Sequence, residues 1–468
     1  MEQIHLKTID TISQHLLREA QKSGIELAWD RYERQQPQDG FLRLGLNCPY
    51  GCLQGPCRID PFNRGAQRSI CGLGRDEMAA SMLLRLCLHG ALEAWAWFKR
   101  ASDPQFPEPG DLGVAATMLH RPSSSYRQLT AQALRLSELV CDHLGRQSQE
   151  AGRQDIPYRI GYGTLVEQPV CIGISGLVEP DVIEALTAAG SANGDAPVAF
   201  VSLGDWLETA EGFLPFACTS GEAELAVLSG ALQLLVVGPG TDRSLSALCR
   251  TLEIPVVEAS SANDWQEVVN MARRGATTAV QTARLPDNLA IRESRIHLSP
   301  RSLIQEATNT GVAGLAILGG SDSPHASLGQ LPVELADGLR ADGFLVAGWG
   351  DVVLWHTKFG HTDPGDAAVM PLETVQGPLT VARELLEAGL LKQLKGICFT
   401  SVKSSWELTL ALGLAQLGCR VAIGSPVPIM GSQPVRETLA DILSGCGGEL
   451  YLFDHPATSD ELRQWIGA

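Results

Sequence analysis

The run Val170-Cys171-Ile172-Gly173-Ile174 is short and apolar, and its rhythm recurs downstream. Val198–Leu203, Leu234–Val237 and Ile254–Val257 follow it, with helical stretches between them. Brief apolar runs alternating with helices mark parallel strands joined by crossover helices, since a strand buried on both faces needs no polar alternation. A second series runs through Ala313–Leu318, Gly343–Ala347, Gly396–Thr400, Val421–Gly424 and Leu450–Phe453. The two series share a rhythm but no sequence repeat. Residues 275–300 between them are polar and unpatterned, which sets a boundary there.

Working outward, the first third of the chain is helical. Ile9, Ile12, Leu16, Leu17 and Ala20 recur at three- and four-residue spacing over 1–30, and Gly24 is placed to stop that helix. Met78, Met82, Leu83, Leu86 and Leu92 give an apolar face over 75–98. Asp103–Gly110 is a Pro-rich connection, and Ser124–Leu144 reads as a further helix. The fold class is therefore α/β: a helical domain over 1–165, then two doubly wound parallel-sheet domains over 166–285 and 286–468. The chain's 468 residues suffice for about three domains of ordinary size.

Composition excludes several functions. No apolar stretch approaches the roughly 18 residues of a membrane span, so membrane insertion is not expected. Met1-Glu2-Gln3-Ile4-His5 lacks the basic-then-apolar pattern of a signal peptide, which makes the cytoplasm the expected location. A net charge of −17 argues against nucleic acid, whose phosphates call for concentrated Lys and Arg.

Twelve cysteines in a chain of this kind suggest metal binding or buried thiols rather than a disulfide framework. Eight are singletons; Cys48, Cys52, Cys57 and Cys71 cluster in one glycine- and proline-rich segment. It reads Gly45-Leu46-Asn47-Cys48-Pro49-Tyr50-Gly51-Cys52-Leu53-Gln54-Gly55-Pro56-Cys57-Arg58-Ile59, with Cys71-Gly72 beyond. Three closely spaced thiolates can wrap three corners of a [4Fe–4S] cubane, with a distant fourth closing it. Gly51 and Gly55 permit the tight turns, and Arg58 can offset cluster charge. The alternatives are a four-cysteine zinc site, which usually presents two short-spaced pairs, and ordinary buried thiols. Cys171, Cys218, Cys398 and Cys419 lie in or beside apolar strands, where small hydrophobes are expected in the core.

These motifs resemble a known family. Trp29-Asp30-Arg31-Tyr32-Glu33-Arg34-Gln35-Gln36-Pro37-Gln38, then Gly45-Leu46, the cysteines, Gly55-Pro56-Cys57-Arg58-Ile59 and Cys71-Gly72, closely resemble the N-terminal region of anaerobic nickel–iron carbon monoxide dehydrogenases. The resemblance is dense over about residues 25–92, with weaker echoes at Ala217-Cys218-Thr219, Ser229-Gly230-Ala231-Leu232 and Ser401-Val402-Lys403-Ser404-Ser405. It implies a helical domain with two Rossmann-like domains, and for Cys48, Cys52, Cys57 and Cys71 the electron-relay cubane. The first cysteine gap holds three residues where the family usually has two.

The departures are large. Two cysteines that hold a cluster shared between subunits correspond here to Asp39 and Asn47. Nickel–iron ligand positions correspond to Thr241, Ser321, Trp349 and Ser401, with another near Ser202, and the histidine expected within Cys171–Pro180 is absent. A proton-handling histidine expected after Gly90 is replaced around Ala94–Trp97, and the helical domain is shortened. The resemblance therefore implies one relay [4Fe–4S] cluster, no nickel and no CO-oxidising site. The expected role is an electron-transfer subunit working with a redox partner subunit or a ferredoxin, with a homodimer possible.

A runner-up reading is an oxidoreductase with a remodelled site between the α/β domains. Gly348-Trp349-Gly350-Asp351-Val352-Val353-Leu354-Trp355-His356-Thr357-Lys358-Phe359-Gly360-His361-Thr362-Asp363 follows a strand, where open α/β sheets place ligands. His356, His361 and Asp363 could bind a metal or move protons there; otherwise the segment is a surface loop with packed tryptophans. Val237-Gly238-Pro239-Gly240-Thr241 could cradle a phosphate or form a simple turn. A non-enzymatic sensor or assembly component with a structural cluster is a third reading. Trp95 and Trp97 can shield the cluster or merely pack.

Overall fold

The computed structural model describes residues 7–35, 40–48, 54–55, 57–98, 109–120, 124–148, 156–191, 196–209, 212–262, 264–275, 285–286, 289–296, 303, 305, 307–308, 311–359, 369–372 and 376–467. Cys52, Asp39, His361 and Asp363 lie outside them.

Nine of the twelve described strands fall where the apolar runs predict; the three at Ile156–Ile160, Arg292–Ile296 and Met370–Pro371 are not anticipated by them. In chain order they are β1 (Ile156–Ile160), β2 (Val170–Ser175), β3 (Val198–Ser202), β4 (Leu234–Val237), β5 (Val256–Glu258) and β6 (Arg292–Ile296). The second series is β7 (Leu315–Gly319), β8 (Leu345–Gly348), β9 (Met370–Pro371), β10 (Leu394–Phe399), β11 (Arg420–Ile423) and β12 (Glu449–Leu452). One parallel sheet has the order β3-β2-β4-β5 and the other β12-β11-β10-β7-β8-β9. Each sheet grows first to one side and then to the other, so loops diverge between β2 and β4 and again between β7 and β10. Such switch points are where open α/β sheets form crevices.

β1 and β6 pair antiparallel, Ile156 opposite Ile296, in a ribbon that straddles the boundaries drawn at 165 and 285. β6 escapes sequence reading because Arg292-Glu293-Ser294-Arg295 carries charge on both faces, and only Ile296 is buried.

The N-terminal stretch is two helices where the periodicity predicts one. Asp10 accepts the Ile12 amide at 2.8 Å to start Thr11–Ser23, and Gly24, at φ 65°, ends it. Ala28–Arg34 follows separately. The helix Arg75–Phe98 packs on Tyr126–Ser148 and on Ser405–Gln416 of the second α/β unit. Gly90 makes that last approach possible, because a Cβ there would lie 2.4 Å from the Ser405 carbonyl oxygen. Glu93 accepts the Trp406 amide at 3.0 Å across the same joint.

The segment after β8 is not a surface loop. Asp351–Phe359 is a helix whose residues from Asp351 to His356 are all buried, and Trp349 and Trp355 are core residues. A helix buried on every side, its Asp351 and His356 included, shows no amphipathic stripe, which is why periodicity does not reveal it. Among the described residues no helix is long and apolar enough to cross a membrane.

Candidate metal centre and the crevice beside it

The cysteine segment is built as short strands of backbone crossing one another. The Cys48 amide donates to the Cys57 carbonyl at 2.8 Å, the Ile59 amide to the Leu46 carbonyl at 2.9 Å, and Asn47 bridges Arg58 antiparallel. Beyond them, a turn at Ser69–Leu73 presents Cys71. The Leu73 amide donates to the Ser69 hydroxyl at 2.8 Å, and the Ser69 hydroxyl lies 3.1 Å from the Cys71 sulfur. The Ile70 amide donates to the Cys57 sulfur at 3.4 Å, drawing the two segments together. Leu46, Ile59 and Met78 form the small core beneath, with Cys48 and Cys57 packed against it.

Cys48 and Cys57 are half-buried and Cys71 is exposed. Among the described residues no three Cys, His, Asp or Glu side chains are gathered into a metal-binding group, and Cys52 lies outside that set. The donor chemistry nonetheless fits an iron–sulfur cluster: soft thiols on turns, one already taking an amide N–H, and a bare Gly55 whose Cβ would stand 3.7 Å from the Cys57 sulfur. Six of the buried cysteines elsewhere differ. Cys87, Cys141 and Cys419 are buried and their thiols are pushed up to about 12 by burial; Cys171, Cys218 and Cys398 move in the same direction. They are neutral core thiols, as the apolar strands around them suggest.

The loop rests on the second α/β unit. Gly45, at φ 74°, brings its backbone against Pro428, where a Cβ would stand 2.0 Å from the carbonyl oxygen, and the Gly431 amide donates to Leu44 at 2.8 Å. Gly45→Ala is expected to destabilise the protein by about 1–3 kcal/mol and to lower bound iron, because this contact cannot relax without lifting the loop. Denaturant titration with iron analysis checks this; wild-type values for both would show that the contact does not hold the loop.

Where β7 and β10 part, Gly320, Ser321, Asp322, Asp351, Thr400, Ser401, Gly424 and Ser425 line a cavity of about 40 Å³. Ser321 donates to Glu407 at 2.7 Å. Glu407 also accepts the amides of Lys403 and Ser404, at 2.8 and 3.1 Å, and so caps Ser405–Gln416. Asp351 accepts the Asp322 amide at 2.8 Å and the Ser220 amide at 3.1 Å. Asp322 accepts the Thr219 hydroxyl at 2.6 Å and the Trp355 indole N–H at 2.9 Å. Burial, reinforced by the Asp351 charge, holds the Asp322 carboxyl well above its usual range, and burial also raises Asp351 and Glu407. A neighbouring cavity of about 360 Å³ is bordered by Trp29, Arg31, Glu224, Asp242, Arg243 and Lys403.

The smaller cavity is therefore lined by hydroxyl and carboxylate oxygens and the His325 imidazole, with no thiol among its described lining residues. Ser321 and Ser401 line it; Trp349 instead packs edge-on against Phe399, Thr241 donates to the Ser175 carbonyl at 2.7 Å, and buried Ser202 donates to the Asp205 carbonyl. Neither Cys218 nor Cys398 borders it. Among the described residues this crevice does not fit the thiolate-rich nickel–iron group that the resemblance would bring.

Two other candidates change character. The Thr241 amide donates to the Gly238 carbonyl, the Leu177 amide to Pro239 and the Gly238 amide to Ser175, so Val237–Thr241 is a turn tied to the end of β2 and the loop after it. His356 is buried with Nε2 3.0 Å from the Pro332 carbonyl, a satisfied core histidine rather than a free ligand. Burial lowers its pKa below the usual 6.5, with the Pro332 carbonyl opposing. The folded state then binds its proton less readily than the unfolded chain, so this contribution is full above about pH 6.5 and lost as pH falls through the folded value. His356→Gln is expected to flatten the fall in stability below pH 6.5, measured by denaturation across pH 5–7; an unchanged slope would assign the fall to other groups.

A buried ionic group that no motif announces joins the N-terminus to both α/β units. Lys358 sits between Glu222, at 2.7 Å, and Asp10, and its ammonium faces the rings of Tyr162 and Trp355. Ser13 donates to Glu222 at 2.5 Å and lies 2.9 Å from the Tyr162 hydroxyl. Burial works to lower the Lys358 pKa, but Glu222 and Asp10 outweigh it and the net shift is upward, so the ammonium stays charged.

The chain thus combines two doubly wound α/β units, a helical unit and a thiol-bearing loop. The comparisons sharpen this. No family model matches the chain. Carbon monoxide dehydrogenase 1 of Methanosarcina mazei is 52% identical over 85 residues, which are 18% of this chain and 13% of that protein. Carbon monoxide dehydrogenase 1 of Carboxydothermus hydrogenoformans is 49% identical over 84 residues, again 18% of this chain and 13% of the relative. Among solved structures, carbon monoxide dehydrogenase IV of Carboxydothermus hydrogenoformans superposes with a TM-score of 0.81 at 18% identity, covering 99% of this chain and 98% of that one. The nickel-free carbon monoxide dehydrogenase of Thermococcus sp. AM4, produced without its CooC maturase, gives 0.82 at 17% identity, covering 98% and 96%. The chain is similar to carbon monoxide dehydrogenases in sequence over a short segment, 13% of those relatives' length, and in fold over nearly its whole length.

Proposed function

We propose that this protein is an iron–sulfur electron-transfer subunit that carries one [4Fe–4S] cluster on Cys48, Cys52, Cys57 and Cys71 and has no CO-oxidising nickel–iron site. The observation that carries the proposal is the split in donor chemistry. Soft thiols are kept on the half-exposed loop, while the crevice between β7 and β10 is lined by Ser321, Asp322, Asp351 and Ser401. When bound, the cluster would supply one-electron redox chemistry, and these residues would position it: the Ile70 amide donates to the Cys57 sulfur, and the Ser69–Leu73 turn holds Cys71 near the surface.

Anaerobic purification followed by iron, sulfide and nickel analysis tests the proposal. About four irons per chain with no nickel are expected. Fewer than about three irons, or stoichiometric nickel, overturns it. The runner-up, an oxidoreductase using His356 and His361, draws no support from His356, which is buried against Pro332.

A further inference from the structure

The face that carries Cys71 differs from the rest of the chain's surface in two respects. Phe62 and Ile70 are 71% and 66% exposed, the most exposed large apolar side chains among the described residues. Around them, residues 58–75 hold four arginines and one aspartate, in a chain whose net charge is −17. Arg58, Arg64 and Arg68 are exposed, and among the described residues no carboxylate forms an ion pair with any of them. The single acid, Asp60, is half-buried and engaged by its own loop: its two oxygens accept the Phe62 and Arg64 amides at 2.8 and 2.9 Å.

We infer that Phe62 and Ile70, rimmed by Arg58, Arg64 and Arg68, form the docking face for a small, acidic one-electron carrier protein. The inference rests on the relay reading above and adds the partner's chemistry and its site of contact. An apolar centre inside a charged rim is the anatomy of a specific interface, and a small patch suits a transient redox encounter. Ile70 adjoins Cys71 in sequence and donates its amide to the Cys57 sulfur, so a partner seated here contacts the ligand loop itself. With a cluster held on the loop, the exchange would move one electron and no proton, the carrier being reduced as the cluster is oxidised, or the reverse. Complementary charge selects the occupant. An acidic carrier is attracted to the arginines, whereas a second copy docked about a two-fold axis would set arginine against arginine.

The probe is a purified, strongly acidic two-iron ferredoxin, its binding measured by biolayer interferometry at low and high salt on anaerobically prepared protein of known iron content. Wild type is expected to bind, and more weakly as salt rises. Arg64→Glu/Arg68→Glu and Phe62→Ser are each expected to weaken binding about tenfold with iron unchanged, while Arg127→Glu/Arg135→Glu, the same charge change elsewhere, is expected to have little effect. Wild-type binding by both face variants, with iron intact, overturns the docking face and leaves the relay reading standing. Wild-type protein without iron overturns the relay reading itself, whatever it binds. Sedimentation is the second readout: a wild-type dimer that Phe62→Ser converts to monomer would assign the face to a second copy and overturn the acidic carrier.

Discussion

Cys57→Ala/Cys71→Ala is expected to take iron from about four atoms per chain to fewer than about one, with loss of the visible charge-transfer absorption. Both residues are chosen because a cubane that loses one thiolate can survive with three irons, whereas losing two opens it on two corners. The structure also predicts that the fold outlasts the loss. The loop's own core is only Leu46, Ile59 and Met78, while the large clusters that hold the sheets and helices contain neither residue. Circular dichroism should therefore stay near wild type. Cys446→Ala, an exposed thiol in the C-cap of Gln433–Gly445, should leave iron unchanged. Full iron in the double variant would place the metal elsewhere in the chain.

Lys358→Met is expected to cost about 3–5 kcal/mol, because it leaves Glu222 and Asp10 buried without their cation. Glu222 is fully buried, and burial already pushes its carboxyl upward despite the opposing Lys358 charge. Without the lysine it should hold its proton to higher pH. The variant's folded state then binds more protons than its unfolded chain, so its deficit should shrink as pH is lowered. Glu222→Gln in the same background should recover part of the loss, since the remaining partners Ser13 and Thr219 can still hydrogen-bond an amide. Denaturant titrations of the four members of this cycle measure the coupling. A single-variant loss below about 1 kcal/mol would mean that the site is solvated and the ion pair weak.

Most of the fold was legible because its signals are local. Nine apolar runs mark nine strands to within two residues at each end, most directly at β2 and β7, which are buried throughout and so continuously apolar. Gly24 ends its helix as read, and the buried thiols of Cys171, Cys218, Cys398 and Cys419 follow from their apolar neighbours. β6 and the helix Asp351–Phe359 were not legible. The first is charged on both faces, and the second is buried on all sides, so neither has the one-sided pattern that sequence reading detects. His356 was over-read for the same reason: its partner, the Pro332 carbonyl, is a backbone atom that no motif encodes.

By itself, then, the sequence determined the parallel-sheet class, the helical N-terminal third and the clustering of four cysteines in one segment, because spacing and hydrophobicity are properties of neighbouring residues. Only the tertiary structure decided what lies opposite what. It put Ser321 and Ser401 on one cavity from strands about 80 residues apart, and closed Lys358 between Asp10 and Glu222. It also left Phe62 and Ile70 bare beside Cys71. Charge burial, cavity lining and exposure arise from contacts between distant segments, and those contacts exist only once the chain has folded.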